Sequence, residues 1–280
     1  LPLIVIATAF AVVGAAYAVL GGLRAVAISD AYSGVLLLSL GMVVVFLALA
    51  AIDFDFSGIP TDRLTLIGSN DSPIPWHTLL TGMLFIQIFY WGTNQTITQR
   101  AMASPTAEEG QKGVLAAAAI RLLIIPPMVV IPGIVSFKLY GDIGDAAFGR
   151  VVGDVLPLWL SGAFAAAIAA AVLTSVNSVL NSSTALYVCD IHERFIAPEP
   201  DLRRLNLIIT MSFVLIGLAM VPIYAQADSI INLVQELYGL LSMPILSAFI
   251  VGLLFRGVSA GAAIVAVVLG VLLYGFFSFV

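Results

Sequence analysis

Between residues 165 and 184 an otherwise apolar run carries Thr174, Ser175, Asn177, Ser178, Asn181, Ser182, Ser183 and Thr184. In hydrocarbon a polar side chain needs a partner, so these residues must bind something or touch another helix. Thr174 and Ser175 are adjacent, about 100° apart around a helix, with the carbonyl of Ala171 one turn earlier. Two hydroxyls and a carbonyl suit a hard monovalent cation such as Na⁺. The same hydroxyls can bond back to the preceding turn, and Gly162, Ala163, Ala166, Ala167 and Ala170 would admit a close partner helix. On this helix alone, packing is the favoured account.

A second polar run ends a different apolar segment: Phe89-Tyr90-Trp91-Gly92-Thr93-Asn94-Gln95, continuing to Gln99-Arg100. Rings beside amides suit a polyol, which stacks on aromatic faces while its hydroxyls pair with amides. An interfacial aromatic belt leading into a polar cap explains the same residues, and composition favours it. Arg121, inside a fourth apolar segment and followed by Pro126, Pro127 and Pro132, either lines a cavity or snorkels to the interface. Gln235-Glu236 pose the same choice, with Glu236 pairing structurally. Ser29-Asp30 read as an N-cap. No nucleophile–base pattern, phosphate loop or Cys/His metal spacing occurs with one Cys and two His, so neither hydrolysis nor ATP-driven pumping is supported.

These residues must be positioned by membrane helices. Hydrophobic residues make up 61% of the 280 and charged residues 10%, with mean hydropathy +1.12, which no water-soluble surface of this size tolerates. The apolar runs are about 20 residues long, the length of spanning helices rather than barrel strands. Eight spans are predicted: 2–21, 31–52, 78–99, 112–138, 157–187, 205–224, 229–254 and 258–279. Gly21-Gly22 should end the first, Pro157 start the fifth, and Arg203-Arg204 precede the sixth. Segment 53–77, with Asp53, Asp55, Asp62 and Asp71, reads as a water-exposed loop.

With residue 1 outside, seven basic residues fall in inner loops (Arg24, Arg100, Lys112, Arg194, Arg203, Arg204, Arg256) against three in outer ones (Arg63, Lys138, Arg150). The positive-inside rule then puts both ends of the chain on the outer side of a cell membrane. The opening LPLIVIATAF lacks Met and a basic leader and begins inside an apolar run, which reads as a piece of a longer protein.

Taken together, the chain resembles the sodium/solute symporter family, and most closely its sodium–glucose cotransporter branch. The resemblance is carried, in order, by Tyr17 with Gly21-Gly22-Leu23-Arg24-Ala25-Val26 and Ser29-Asp30; Tyr90-Trp91-Gly92 with Asn94-Gln95 and Gln99-Arg100; Gln111-Lys112-Gly113; Pro132-Gly133-Ile134; Ala171 with Thr174-Ser175; Leu180-Asn181-Ser182; Asp190-Ile191; and Gln235-Glu236 with Gly239-Leu240.

The resemblance implies an all-α membrane protein whose eight transmembrane helices form part of a LeuT-type inverted-repeat fold. Residues 1–52 would end the first repeat, 78–254 form the second, and 258–279 be a peripheral helix. It implies Na⁺ ligands at Ala171, Thr174 and Ser175, completed by N-terminal helices absent here. Solute contacts are implied at Gln87, Tyr90, Trp91, Arg121 and Gln235, and a place on the ion path for Asp30. Gln87 stands where sugar-binding members place Asn, Arg121 where they place Lys, and Ser33 where the motif has Gln. The implied activity is Na⁺-coupled import of a small polar solute across the lipid bilayer, a sugar or polyol first. Amino acids, sialic-acid-like anions and monocarboxylates come behind, and a non-transporting sensor or scaffold is the rival. No enzymatic step, organic cofactor or nucleic acid is expected.

Overall fold

A computed structural model describes residues 2–65, 67–70, 72, 75–226 and 230–279, with the side chains of 22, 23, 231, 232 and 279 left aside. Asp71 lies outside the described residues. The rest is almost wholly helical: α1 (Leu3–Ala51); a short turn at Thr61–Leu64; α2 (Trp76–Thr78), passing through a π turn (Leu79–Met83) into α3 (Leu84–Gly92); α4 (Gln95–Met102); α5 (Ala107–Leu123); α6 (Ile125–Tyr140); and α7 (Ala147–Val155). Then follow α8 (Leu158–Ala185), continuing through a π segment (Leu186–His192) into α9 (Glu193–Phe195), and α10 (Leu202–Ala225), α11 (Ile230–Leu254) and α12 (Ala260–Phe279).

Among the described residues seven helical segments are long and apolar enough to cross a membrane. Most of the large side chains along them face outward, as spans surrounded by lipid require. The expected eighth span, 78–99, is interrupted. The helix runs from Trp76 only to Gly92, and a new one starts at Gln95, because the Asn94 side chain turns inward to accept from the Thr96 N–H at 2.9 Å.

The largest departure from expectation is at the start. Segments 2–21 and 31–52 form one helix, α1, that passes through Gly21-Gly22 without a positive φ. Apolar flanks on both sides outweigh the roughly 1 kcal/mol that each glycine costs within a helix. Ser29 is consequently not an N-cap: its hydroxyl donates back to the Val26 carbonyl at 3.2 Å. Arg203 and Arg204 similarly lie within α10, whose first turn is capped by Asp201, which accepts from the Arg204 N–H at 3.2 Å. Pro157 does precede α8, in extended conformation at its N-cap.

The chain divides into two compact units, residues 1–64 with 99–225, and 65–98 with 226–280. In the first, α1 packs on α8 above all, and on α6, α7 and α10. Its apolar core is three clusters: Ala48, Ile52, Val135 and Val151; Val44, Leu156 and Phe164; Ala15, Leu180 and Val214. In the second unit α11 packs against α3 and α12. Gly239 of α11 is where the Tyr274 hydroxyl of α12 presses, so any Cβ there would collide with it.

Candidate functional site

The helix rich in hydroxyls is the most buried of the seven spans, and Thr174 and Ser175 lie close to the midpoint of its unbroken run, Leu158–Phe195. Its buried face is polar toward the C-terminal half, with Asn177, Ser178, Ser182 and Thr184. Thr174 Oγ1 donates to the Ala171 carbonyl at 3.0 Å, and Ser175 Oγ donates to the same oxygen at 2.9 Å. Both hydroxyl oxygens thus lie about 3 Å from one carbonyl oxygen, a set of oxygen donors of the kind a small hard cation takes. The two hydroxyl protons rest on Ala171, leaving lone pairs on both side-chain oxygens for an incoming ion. Thr174 is half-buried and Ser175 exposed. A cavity of about 190 Å³ opens beside Thr174, lined also by Tyr17, Ser29, Ser33 and Asn177. The buried Asn177 Oδ1 has no hydrogen-bond partner among the described residues.

One turn beyond Thr174 the helix meets two charged residues. Ser178 Oγ donates to the Thr174 carbonyl at 2.6 Å and lies 3.4 Å from Asp30 Oδ2 of α1. The Arg100 guanidinium, from α4, donates both to Asp30 and to Ser178. The neighbouring Gln99, buried, donates to Ser182 Oγ at 2.6 Å, and Ser182 Oγ donates to the Ser178 carbonyl at 2.7 Å. Consecutive residues of α4 therefore grip serines one turn apart on α8.

The aromatic run falls in the second unit. Gln87, Tyr90 and Trp91 share one face of α3, at i, i+3 and i+4. Tyr90 meets Trp91 edge to face, with ring centroids 5.6 Å apart, and lies 6.4 Å from the Tyr238 ring of α11. Gln235 sits on α11 one turn before Tyr238, half-buried. Arg121 belongs to the first unit, exposed near the end of α5, three residues before the bend at Ile124.

The structure thus brings Ala171, Thr174 and Ser175 together, links Asp30 to them through Ser178, and places Gln87, Tyr90, Trp91 and Gln235 on the packed pair α3 and α11. Sequence reasoning missed Tyr238 as a companion of Tyr90. The only signal was its place three residues after Gln235, which on a helix is the same face. It also gave no partner for Arg100 or Gln99. Among the described residues no group of three or more His, Cys, Asp or Glu could hold a metal ion.

Comparison with known proteins points one way. The model of the sodium:solute symporter family matches residues 2–270. An uncharacterized symporter of Escherichia coli K12, YidK, is 32% identical over 93% of this chain and 48% of its own length. A sodium/glucose cotransporter of Vibrio parahaemolyticus is 29% identical over 90% of this chain and 53% of its own. Mouse sodium/myo-inositol cotransporter 2 is 26% identical over 92% and 45%. The chain therefore spans about half the length of the curated relatives it matches. The solved structure of a Na⁺-coupled sialic acid symporter, substrate-bound and outward-open, superposes with a TM-score of 0.67 at 18% identity, over 99% of this chain and 66% of that one. At that identity the likeness establishes the fold, and it is the LeuT-type fold expected from the sequence.

Proposed function

Since the chain belongs to the sodium:solute symporter family, whose members here are transporters and not enzymes, we propose that it is part of a Na⁺-coupled symporter importing a small polar solute, a sugar or polyol first. The observation that carries this reading is the convergence of Thr174 Oγ1 and Ser175 Oγ on the Ala171 carbonyl at the midpoint of the most buried span. Na⁺ is held there by the three oxygens, together with further oxygen ligands that complete its shell. Asp30, one turn away beside Ser178, lies on the ion's path. The solute is oriented by Gln87, Tyr90, Trp91 and Gln235, the rings stacking on its apolar face and the amides pairing with its hydroxyls. Arg121 is a further solute contact. It carries a fixed charge and a planar fork of donors, so anions such as sialic-acid-like solutes are the next class to test.

The membrane potential and Na⁺ gradient supply the work, about 2.3 kcal/mol per charge per 100 mV from the electrical part. Binding of Na⁺ favours one facing of the protein, the solute binds, and rocking of the inverted repeats releases both on the other side. The proposed orientation has residues 1 and 280 outside.

The test is solute uptake by the complete protein in proteoliposomes, with a panel of hexoses, myo-inositol, amino acids, sialic acid and monocarboxylates. Uptake of one class should require Na⁺, fail in choline, and fall at least tenfold in Thr174→Ala/Ser175→Ala. Equal uptake in choline, or none for any solute despite Na⁺ binding, would overturn symport, the latter in favour of a sensor that keeps the fold.

A further inference from the structure

Where α6 ends, the chain walls off a cavity of about 340 Å³, the size of a small-ligand site. Its whole lining belongs to the unit built on α1 and α8, and none of it to the Na⁺ or solute contacts proposed above. One wall is α6, with Val130, Ile134 and Phe137 on one face and Ser136 at the edge of that face. Gly141 ends the helix at a φ of 77°, a conformation that favours glycine, and Asp142 follows it into the lining. Arg63 comes from 79 residues earlier. Its Nη2 donates to Asp142 Oδ2 at 2.8 Å, and its guanidinium lies over the Phe137 ring, 4.4 Å from the centroid. Asp142 is held a second time, since its Oδ1 accepts from the Gly144 N–H at 3.2 Å. The segment that carries Arg63 is also tied to α6 by Lys138 and Asp55.

Ser136 is the informative residue. It is 1% exposed and borders the cavity, and its Oγ has no hydrogen-bond partner among the described residues. A serine in a helix ordinarily donates to the carbonyl one turn back, as Ser33, Ser161 and Ser212 do. Ser136 leaves that bond unmade, which costs free energy unless something in the cavity meets the hydroxyl. The rest of the lining offers donors and acceptors together. Spare guanidinium N–H groups donate, spare carboxylate lone pairs accept, and the hydroxyl does both. Because the two charges oppose each other, an anion meets Asp142 and a cation meets Arg63. A neutral molecule with several hydroxyls, each both donor and acceptor, satisfies all three groups and lays its C–H face against Val130, Ile134 and Ile143.

We propose that this cavity is an accessory site for a neutral polyol of monosaccharide size, gripped by Arg63 and Asp142 and meeting the Ser136 hydroxyl as its most buried contact. It goes beyond the symport reading and stands on residues that reading does not use. An occupant bridges the segment after α1 to the end of α6, adding to the ties that Arg63 and Lys138 already make there.

The test reads the cavity locally, by the rate at which a maleimide labels the complete purified protein carrying Ala147→Cys, a lining position, in a background freed of other thiols. With K⁺ in place of Na⁺, myo-inositol or D-glucose should slow labelling saturably, about threefold at twice the dissociation constant. The slowing should persist in Gln87→Ala/Tyr90→Ala, which disables the proposed transport contacts. Ser136→Ala should weaken the polyol about tenfold while melting no lower than its parent, because the hydroxyl it removes has no partner among the described residues. Arg63→Gln/Asp142→Asn, which keeps both shapes and removes both charges, should weaken the polyol at least as much. No slowing by either polyol, slowing by sulfate instead, or slowing that requires Na⁺ would overturn the site. So would an unchanged dissociation constant in Ser136→Ala, which would mean that the hydroxyl meets only water. Na⁺-dependent uptake is measured apart from all of these, so failure of the site and failure of symport are distinguishable.

Discussion

Two carboxylates flank one span, and they are held in opposite ways. Asp30 stands near the start of the segment Arg24–Ala51, and Asp55 follows its end, the two separated by about 30 Å of helix, close to the thickness of a bilayer's hydrocarbon. Each reaches a cation distant in sequence. Asp30 is paired with Arg100 among buried serines and a buried glutamine of α4 and α8. Asp55 accepts from the Ser57 N–H at 2.8 Å, the Ser57 hydroxyl at 2.6 Å and Lys138 Nζ at 2.9 Å, but remains open to water. The same kind of pair is thus worth different things. Where the surroundings exclude water, losing one partner strands a charge; where water is present, it replaces what is lost.

The comparison breaks most visibly at Asp30. Asp30→Ala leaves Arg100 without its counter-charge and should cost about 3 kcal/mol, seen as a lower melting temperature in detergent. Asp30→Ala/Arg100→Leu should recover part of that loss; no recovery would mean that the pair's charges are not what the substitution disturbs.

Next comes the turn that delivers Arg100. A Cβ on Gly110 would sit 2.8 Å from the Ala101 carbonyl oxygen, a backbone atom that cannot swing away. Gly110→Ala should therefore cost about 1–3 kcal/mol and weaken the Arg100–Asp30 contact, whereas Gly113→Ala, with open space around its Cβ, should not. Equal melting temperatures for the two variants would refute the close approach.

A smaller effect is expected at Gln99. Gln99→Leu removes the donor to the buried Ser182 hydroxyl and should cost about 1–2 kcal/mol, with Ser182→Ala in the same background costing little more. Additive losses in that double-mutant cycle would show that the two side chains do not interact.

The least should happen at the exposed end. Ser57 and Lys138 hold the Asp55 carboxyl well below its ordinary value of 3.8. Its stabilisation is fully present above that ordinary value and is lost as pH falls from there through the depressed folded one. Asp55→Asn and wild type should accordingly melt in parallel from pH 5 to 8 and draw together only below about pH 4. Convergence at neutral pH would contradict the hydrogen bonds drawn to Asp55. In the same loop region Arg63, first, and the Gly144 amide hold Asp142 low as well, so the two acidic groups keep their charge together.

Much of this was legible from residue order. Long apolar runs located the spans, Pro157 marked the start of α8, and the Ala171, Thr174, Ser175 spacing forced three oxygens together once the helix formed. Local rules misled at Gly21-Gly22 and Ser29, where weak breakers sit between strongly apolar stretches and packing against α8 settles the outcome. Asn94 could have been read correctly, since an Asn two residues before a first-turn amide is an ordinary cap. Arg100 could not: a partner 70 residues away leaves no trace in local spacing. Tyr238 joined Tyr90 only when α11 packed on α3.

The uninterrupted α1 contributes to each of the three apolar clusters in its unit: Ala15 to one, Val44 to another and Ala48 to the third. Clusters sharing one rod do not melt separately, because releasing any of them exposes backbone that the other two help to hold. Amide protons of α1 from Ala15 to Ala48 should then exchange with a single opening free energy rather than a gradient along the helix.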